Sequence, residues 1–402
     1  MKKIVLITMT LIALLPSSMA QLIPLASGVR NSLSLDINSI FNYNQYEKSR
    51  WGLGLQYDIA LDGERFRALV LSGYGAYGYE DTRFKWGLKV DLQSKLTHQS
   101  HTYISFSHDL SPDAARYLIP YQLTSFTSTG SFMARLFSDA YRLTLGFSRQ
   151  ATVKRTDCFE LRLSRERYLH YGTTQIYPSS YSNLKDLPHM DFVEGRVFLA
   201  HNSGLRGELL AGIYGNFTDI FSANINRQQA FLRLLLQYEN EFYFSAFELD
   251  LFAQGGVANS GAPYSRLFDL GGTWGSPLAL EKSLLTARPN EFTTNLFTLI
   301  NLKLTTQLPI FRFDSQLLAL GTAPSPFLLC NAAWGMMGEY TGASVPDKGI
   351  AEVGAGIDGI FVWGAVRWGG AVAYRLTPSS ADYHYPDSKD NLLFLFTAQL
   401  DM

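Results

Sequence analysis

Apolar and polar residues alternate with a period of two along most of the chain after residue 20. The clearest segment covers 83–93, where one face is wholly apolar and the other is mostly charged. The apolar face has Phe84, Trp86, Leu88, Val90 and Leu92, and the polar face includes Arg83, Lys85, Lys89 and Asp91. Successive side chains of a β-strand point to opposite faces, so this pattern predicts a strand with an apolar and a polar face.

Similar segments recur as far as the last residue. They cover 29–38, 51–61, 141–148, 159–166, 190–201, 205–215, 227–239, 247–254 and 392–402. Their polar positions carry charges of both signs, namely Glu160, Arg162, Glu166, Arg206, Glu208, Arg233, Glu239, Glu248 and Asp250. The repetition predicts an all-β protein.

Two classes of protein use strands with one apolar face: large soluble β-sandwiches and transmembrane β-barrels. The segments are about 9 to 13 residues long, whereas strands of soluble proteins usually have five or six. Aromatic residues recur near the segment ends, as in the aromatic girdles of outer-membrane barrels. We therefore predict a transmembrane antiparallel up-and-down β-barrel of about 14 to 16 strands, with the charged residues named above facing the lumen.

The connections between segments differ in length. Those at 110–126, 257–290 and 377–390 are long, and we expect them to be surface loops. The stretch 168–189 is also long, although the count of strands calls for a short periplasmic turn there. The strand count and the side on which this stretch lies therefore stay open.

The N-terminus has the pattern of a secretory signal. Lys2 and Lys3 precede an apolar run over 4–15, and Ser18-Met19-Ala20 forms a small-residue cleavage site. The run is too short to span a bilayer. We expect residues 1–20 to be a signal peptide cleaved after Ala20, and residues 21–402 to form the barrel in a Gram-negative outer membrane. Its expected partners are outer-membrane lipid and, during insertion, the barrel assembly machinery.

Composition and charge narrow the classes of function. A net charge of -1 disfavours a nucleic-acid-binding surface, since phosphate binding needs clustered Lys and Arg. Hydrophobic residues make up 47% of the chain, but after the signal they are dispersed rather than gathered into a membrane helix. Cys158 and Cys330 fit no metal spacing, and they are either one disulfide or two unrelated buried thiols.

Histidines are the remaining candidates for chemistry. His98 and His101 flank a short turn, but two ligands without a third make a poor metal site. His108 beside Asp109 suggests a membrane-embedded hydrolase, but no nucleophile completes the arrangement in the sequence. We predict no catalytic, cofactor or metal site, and a chain that is not an enzyme.

Four segments, 73–87, 105–109, 263–267 and 352–361, resemble an uncharacterised family of outer-membrane barrels from Bacteroidota. More distantly, they resemble the barrel of the surface-antigen superfamily, which inserts or exports proteins. A carboxypeptidase-regulatory-like domain usually precedes the barrel in the Bacteroidota family, and we expect this chain to be a member without it. Asp358-Gly359 also departs from the Glu-Asn that family members often have. The resemblance implies a fold and a location, but it implies no catalytic residue.

Two functions follow from a barrel with charged lumen positions. Unpaired charges would line a channel or transport barrel for small polar solutes, which is the function we predict first. Paired charges would brace the barrel wall, and this is the arrangement that we expect for the charged residues named above. The alternative function is a structural or assembly/export component of a surface complex. Its lumen would be plugged by loops or by an unidentified periplasmic or surface partner chain, since the first segment starts too early for an N-terminal plug.

Overall fold

The structure is a computed structural model. It describes residues 22–36, 40–44, 48–95, 100–112, 137–152, 155–169, 189–201, 203–216, 220, 230–270, 284–286, 293–306, 313–315, 320–322, 325–336, 349–362, 366–376 and 392–400. No helix among these residues is long and apolar enough to cross a membrane.

β-Strands account for nearly all of the described chain. In order they are β1 (Leu22–Ser27), β2 (Asn31–Asp36), β3 (Phe41–Asn44), β4 (Lys48–Ala60), β5 (Phe66–Gly78), β6 (Phe84–Ser94), β7 (Ser100–Pro112), β8 (Phe137–Thr152), β9 (Arg155–Leu169), β10 (Met190–Ala200), β11 (Leu205–Gly215), β12 (Ala230–Phe244), β13 (Phe247–Ala258), β14 (Phe268–Asp269), β15 (Thr293–Thr294), β16 (Leu296–Thr306), β17 (Phe313–Ser315), β18 (Leu320–Thr322), β19 (Ser325–Met336), β20 (Ile350–Val362), β21 (Val366–Arg375) and β22 (Leu392–Leu400).

One large antiparallel sheet contains all of these strands except the two small pairs β14–β15 and β17–β18. Neighbours in the sheet follow chain order, and β2 and β3 pair with two parts of β4 as one interrupted strand. The sheet therefore has 17 strands. The all-β, antiparallel barrel class is confirmed, with one strand more than the largest expected number. The extra strand is β1, which is too short and too apolar to show a period of two.

The two ends of the sheet carry connections of different length. The short connections 61–65, 153–154, 245–246 and 363–365 are at one end, together with one longer connection from β16 to β19, and the long connections 113–136, 170–189 and 376–391 are at the other. The stretch around 168–189 is thus at the long-loop end, because β9 starts at a short turn and runs away from it. Bacterial barrels place short turns in the periplasm and long loops outside, so we expect the long-loop end to face outwards.

The two faces of the sheet differ in exposure as the alternation predicts. On β9, Phe159 and Leu161 are exposed, whereas Glu160, Ser164 and Glu166 are buried. Exposed apolar side chains suit contact with lipid, and the buried face lies towards the interior.

The sheet curls around this interior. Arg50 on β4 forms an ion pair with Asp109 on β7, three strands away. In a flat sheet these strands would be roughly 14 Å apart, because adjacent strands are separated by about 4.8 Å. Tyr74, on the intervening β5, donates a hydrogen bond to the same carboxylate. The buried face is therefore concave.

The apolar core lies inside the part of the sheet formed by β10 to β16. Its members include Phe192, Phe198, Leu210, Phe231, Leu235, Phe252, Phe297 and Leu299. A water-filled lumen would have a polar lining throughout, whereas this half of the interior holds a buried apolar cluster beside its ion pairs. Something other than solvent must fill it.

The sheet is not closed. Among the described strands, β22 pairs with β21 alone and β1 pairs with β2 alone. The seam between the first and last strands therefore has two free edges.

Candidate functional site

Part of the long connection between β13 and β16 fills the apolar half of the interior. We call residues 259–270 together with 284–286 the inner segment. It contains a single 3-10 turn, Tyr264–Arg266, followed by β14, and Phe268, Leu270 and Leu284 are at most 2% exposed. The expectation that 257–290 is a surface loop is therefore wrong for its described residues. The corresponding expectations for 110–126 and 377–390 fall largely outside the described residues.

Arg266 fixes the inner segment to the wall through two carboxylates. Its Nε and Nη2 donate to the two oxygens of Glu194 on β10, at 2.6 and 3.2 Å. Its Nη1 and Nη2 donate to the two oxygens of Glu166 on β9, at 3.1 and 2.8 Å. The guanidinium also lies 4.4 Å from the ring centroid of Phe192. All three charged side chains are buried, and two-pronged pairs of this kind are the strongest and most directional ion pairs in proteins.

Apolar contacts hold the next residues of the inner segment. The ring of Phe268 lies 4.9 Å from that of Phe297 on β16, measured between centroids. The guanidinium of Arg233 on β12 lies over the ring of Phe268, 4.6 Å from its centroid. Gly256 on β13 makes room for both rings, since a Cβ there would be 2.6 Å from Phe297 and 2.8 Å from Phe268. The wall and the inner segment are thus complementary in shape.

Glu352 on β20 forms a second anchor. One of its oxygens accepts a hydrogen bond from the backbone N–H of Leu285 at 2.6 Å. The other accepts hydrogen bonds from the backbone N–H and the hydroxyl of Thr286, at 2.8 and 2.6 Å. Asn331 on β19 donates to the same carboxylate at 2.8 Å. Arg375 on β21 binds the carbonyl oxygen of Thr286 at 2.6 Å. The inner segment is therefore bonded to β9 and β10 through Arg266, and to β20 and β21 through Leu285 and Thr286.

A ladder of ion pairs crosses the wall beside the Arg266 anchor. Glu160 pairs with Arg162 on its own strand and with Arg196 on β10. Arg196 also pairs with Glu208 on β11 at 2.6 Å, and Glu208 pairs with Arg233 at 2.9 Å. The expected lumen charges of β9, β11 and β12 are thus paired rather than free, which corresponds to the bracing arrangement.

The other expected lumen residues lie away from the inner segment. Lys85 pairs with Asp81, Lys89 with Asp91 at 3.5 Å, Arg83 with Asp139 at 2.6 Å, and Arg206 with Glu239 at 3.9 Å. Glu248 and Asp250 are only partly buried. They lie at the short-turn end with the exposed Glu241, where the three carboxylates have oxygens within 4.8 Å of one another.

The histidines form no catalytic arrangement among the described residues. The ring of His108 stacks on Tyr141 and forms a hydrogen bond with Asp139 at 2.8 Å. Asp109 does not bond to His108 but accepts hydrogen bonds from Arg50 and Tyr74. His101 bonds to Asp91, and His98 is outside the described residues. Whether the chain lacks enzymatic activity stays a prediction.

The two cysteines are free. Cys158 is buried in the interior, whereas Cys330 is exposed on the other face of the sheet. The disulfide alternative is therefore wrong, and so is the burial expected for Cys330.

Sequence reasoning missed the inner segment, although two signals pointed to it. On the inner face of β12, Phe231 and Leu235 flank Arg233, which indicates that part of this face is packed rather than lined by water. In addition, two of the motifs that carry the family resemblance, 263–267 and 352–361, contain Arg266 and Glu352. Those motifs therefore hold the two anchors.

Comparisons with solved structures agree on the fold. BamA from Haemophilus ducreyi lacking POTRA domains 1–3 matches with a TM-score of 0.52 and 10% identity, over 100% of this chain and 78% of that chain. CdiB from Acinetobacter baumannii matches with a TM-score of 0.45 and 10% identity, over 92% of this chain. This chain spans 59% of the length of that CdiB chain.

Neither a protein-family model nor a curated protein matches the sequence. The resemblance to the Bacteroidota family thus stays a prediction, as do the signal peptide and its cleavage site. At 10% identity, the likeness to BamA concerns the fold alone. The chain has the fold of an outer-membrane β-barrel.

Proposed function

We propose that this protein is a structural or assembly/export component of the outer membrane, with a lumen plugged by its own inner segment. The observation that carries the proposal is the anchoring of Arg266 by Glu166 and Glu194 in the buried interior. A solute channel needs a continuous water-filled path. Here the inner segment, which follows β13, is bonded inside the sheet to β9 and β10.

The extent of burial supports the same function. Side chains of the inner segment are packed among phenylalanines and leucines of β10 to β16. A polar solute passing through would have to break these contacts and expose apolar surface to water, at about 25 cal/mol per Å². The free edges at β1 and β22 add a second feature that suits work on polypeptide chains, since an exposed strand edge pairs readily with another extended strand.

A channel for small polar solutes is the second candidate. The part of the interior formed by β4 to β9 is lined by polar and charged side chains, including Lys85, Asp91 and Ser148. If the inner segment left the interior, the emptied part beside β10 to β16 would join this polar part and form a continuous path. In this case the plug would act as a gate rather than as a permanent filling.

Conductance in a planar lipid bilayer tests the proposal. The refolded protein is compared with a variant whose residues 262–286 are replaced by a short Gly-Ser linker. Heat-modifiable gel mobility serves as the check that each barrel has folded. We expect the native protein to be silent and the variant to show steady conductance steps, because removal of the inner segment empties the interior.

Steady steps of similar size from both proteins would contradict a plugged lumen and favour the channel. The assembly role itself is tested in cells. Loss of the protein should lower the amount of particular surface proteins in the outer-membrane fraction, while uptake of small polar solutes stays unchanged. Lowered uptake with an unchanged set of surface proteins would contradict the assembly role.

A further inference from the structure

The first strand and the last strand of the sheet run in the same direction. β1 is antiparallel to β2, and every later pair from β2 to β22 is also antiparallel. Following the pairs around the sheet, β1 and β22 both run from the long-loop end to the short-turn end. A direct β1–β22 pair would therefore be parallel, whereas a β2–β22 pair would be antiparallel.

These directions mean that β1 and β22 compete for one edge. If β22 paired with β2, the sheet would close with sixteen antiparallel strands, which is the even number usual for bacterial single-chain barrels. In the structure, β1 covers that edge of β2 instead, from Ser32 to Asp36. Among the described residues β3, which continues β2, pairs with β4 alone, so its other edge is uncovered.

β1 is a weak occupant of this edge. It has six residues, whereas β22 has nine. Pro24 lacks a backbone N–H, and the register of β1 with β2 shifts between Pro24 and Ala26. Prolines and bulges are typical of edge strands that do not pair firmly.

We propose that β1 is a placeholder strand, which occupies the β2 edge until β22 displaces it and closes the sheet. The seam then has two states. In one, β1 covers β2 and the β22 edge is free; in the other, β22 pairs with β2 and β3 and β1 is released. The proposal concerns the seam and does not depend on whether the lumen is plugged.

Disulfide trapping tests the exchange, in a background with Cys158→Ala and Cys330→Ala. The first pair, Ile23→Cys with Leu35→Cys, joins register partners of β1 and β2. The second set combines Leu35→Cys in turn with Phe394→Cys, Phe396→Cys or Ala398→Cys on β22. The second set is made in the full chain and in a variant whose residues 22–27 are replaced by a Gly-Ser sequence of equal length.

We expect the Ile23–Leu35 bond to form in the full chain. We also expect at least one bond from Leu35 to β22 to form several-fold more in the Gly-Ser variant than in the full chain. Heat-modifiable mobility identifies folded protein, and only that fraction is scored. Equal yields of Leu35–β22 bonds in both proteins, or none in the folded variant, would overturn the proposal.

Discussion

The guanidinium of Arg266 meets the carboxylates of Glu166 and Glu194 where water cannot screen their charges. Removing one partner from such a buried group leaves uncompensated charge, which costs more than the pair itself contributes. Glu166 keeps two further partners, Ser164 at 3.0 Å and Arg142 at 3.4 Å. The loss should therefore fall mainly on Glu194 and on the packing of the inner segment.

We expect Arg266→Ala to lower the free energy of unfolding by about 3 kcal/mol, measured by urea titration in lipid vesicles. The control is Arg30→Ala. Arg30 pairs with Asp62 at 2.7 Å, and both of these side chains are exposed. Removing that exposed pair should cost less than about 1 kcal/mol. Equal losses of unfolding free energy in the two variants would show that the ion pairs of Arg266 stabilise the protein no more than an exposed pair does.

Two neighbouring glycines of β13 allow a second comparison. A Cβ on Gly256 would meet the rings of Phe268 and Phe297, whereas a Cβ on Gly255 would meet only a backbone oxygen at 3.6 Å. We expect Gly256→Val to destabilise the protein by about 1–3 kcal/mol through overpacking. Gly255→Val should be close to neutral, because a β-branched residue suits a strand. Similar unfolding curves for the two variants would contradict the tight fit of Phe268.

At the scale of elements, the alternation of residues predicts strands and faces well but does not predict what fills the interior. β6 and β9 have the faces expected from their period of two, because one face contacts lipid along its whole length. β1 escaped notice because its six residues include five apolar ones, one of them a proline, and show no period. The inner segment escaped notice because Arg266 and Glu166 are 100 residues apart, and local patterns carry no information on such pairs.

Glu352 shows how one strand holds a distant element. Its carboxylate accepts hydrogen bonds from Leu285, Thr286 and Asn331, so both oxygens are used. In Glu352→Gln one oxygen becomes an NH₂ group, which faces N–H donors and leaves them unpaired. We expect this to weaken the local structure at 284–286 by about 1–3 kcal/mol.

Hydrogen exchange of peptides covering 284–286 measures this loss. Exchange should become faster in Glu352→Gln, while peptides from β12 and β13 keep the native rate. Glu248→Gln is the control, because Glu248 is partly exposed at the short-turn end and touches no part of the inner segment. Unchanged exchange at 284–286 would mean that apolar packing alone holds this part of the plug.

At the scale of the whole molecule, the direction of the strands determines what each end of the barrel meets. β13 runs towards the long-loop end, so the inner segment enters the interior from that end. If long loops face outwards, as in other bacterial barrels, the plug is inserted from the cell surface. The acidic group at Glu241, Glu248 and Asp250 would then face the periplasm.

Epitope insertion in intact cells tests this orientation. A tag placed within 170–189 should bind antibody without permeabilisation, because this connection joins β9 and β10 at the long-loop end. A tag placed between Ser245 and Ala246, in the short turn after β12, should bind only after the outer membrane is opened. Both tags in one folded chain form an internal control, since a leaky membrane would reveal the second tag as well. The reverse result would place the short turns outside, and the inner segment would then enter from the periplasm, where a partner could reach it during export.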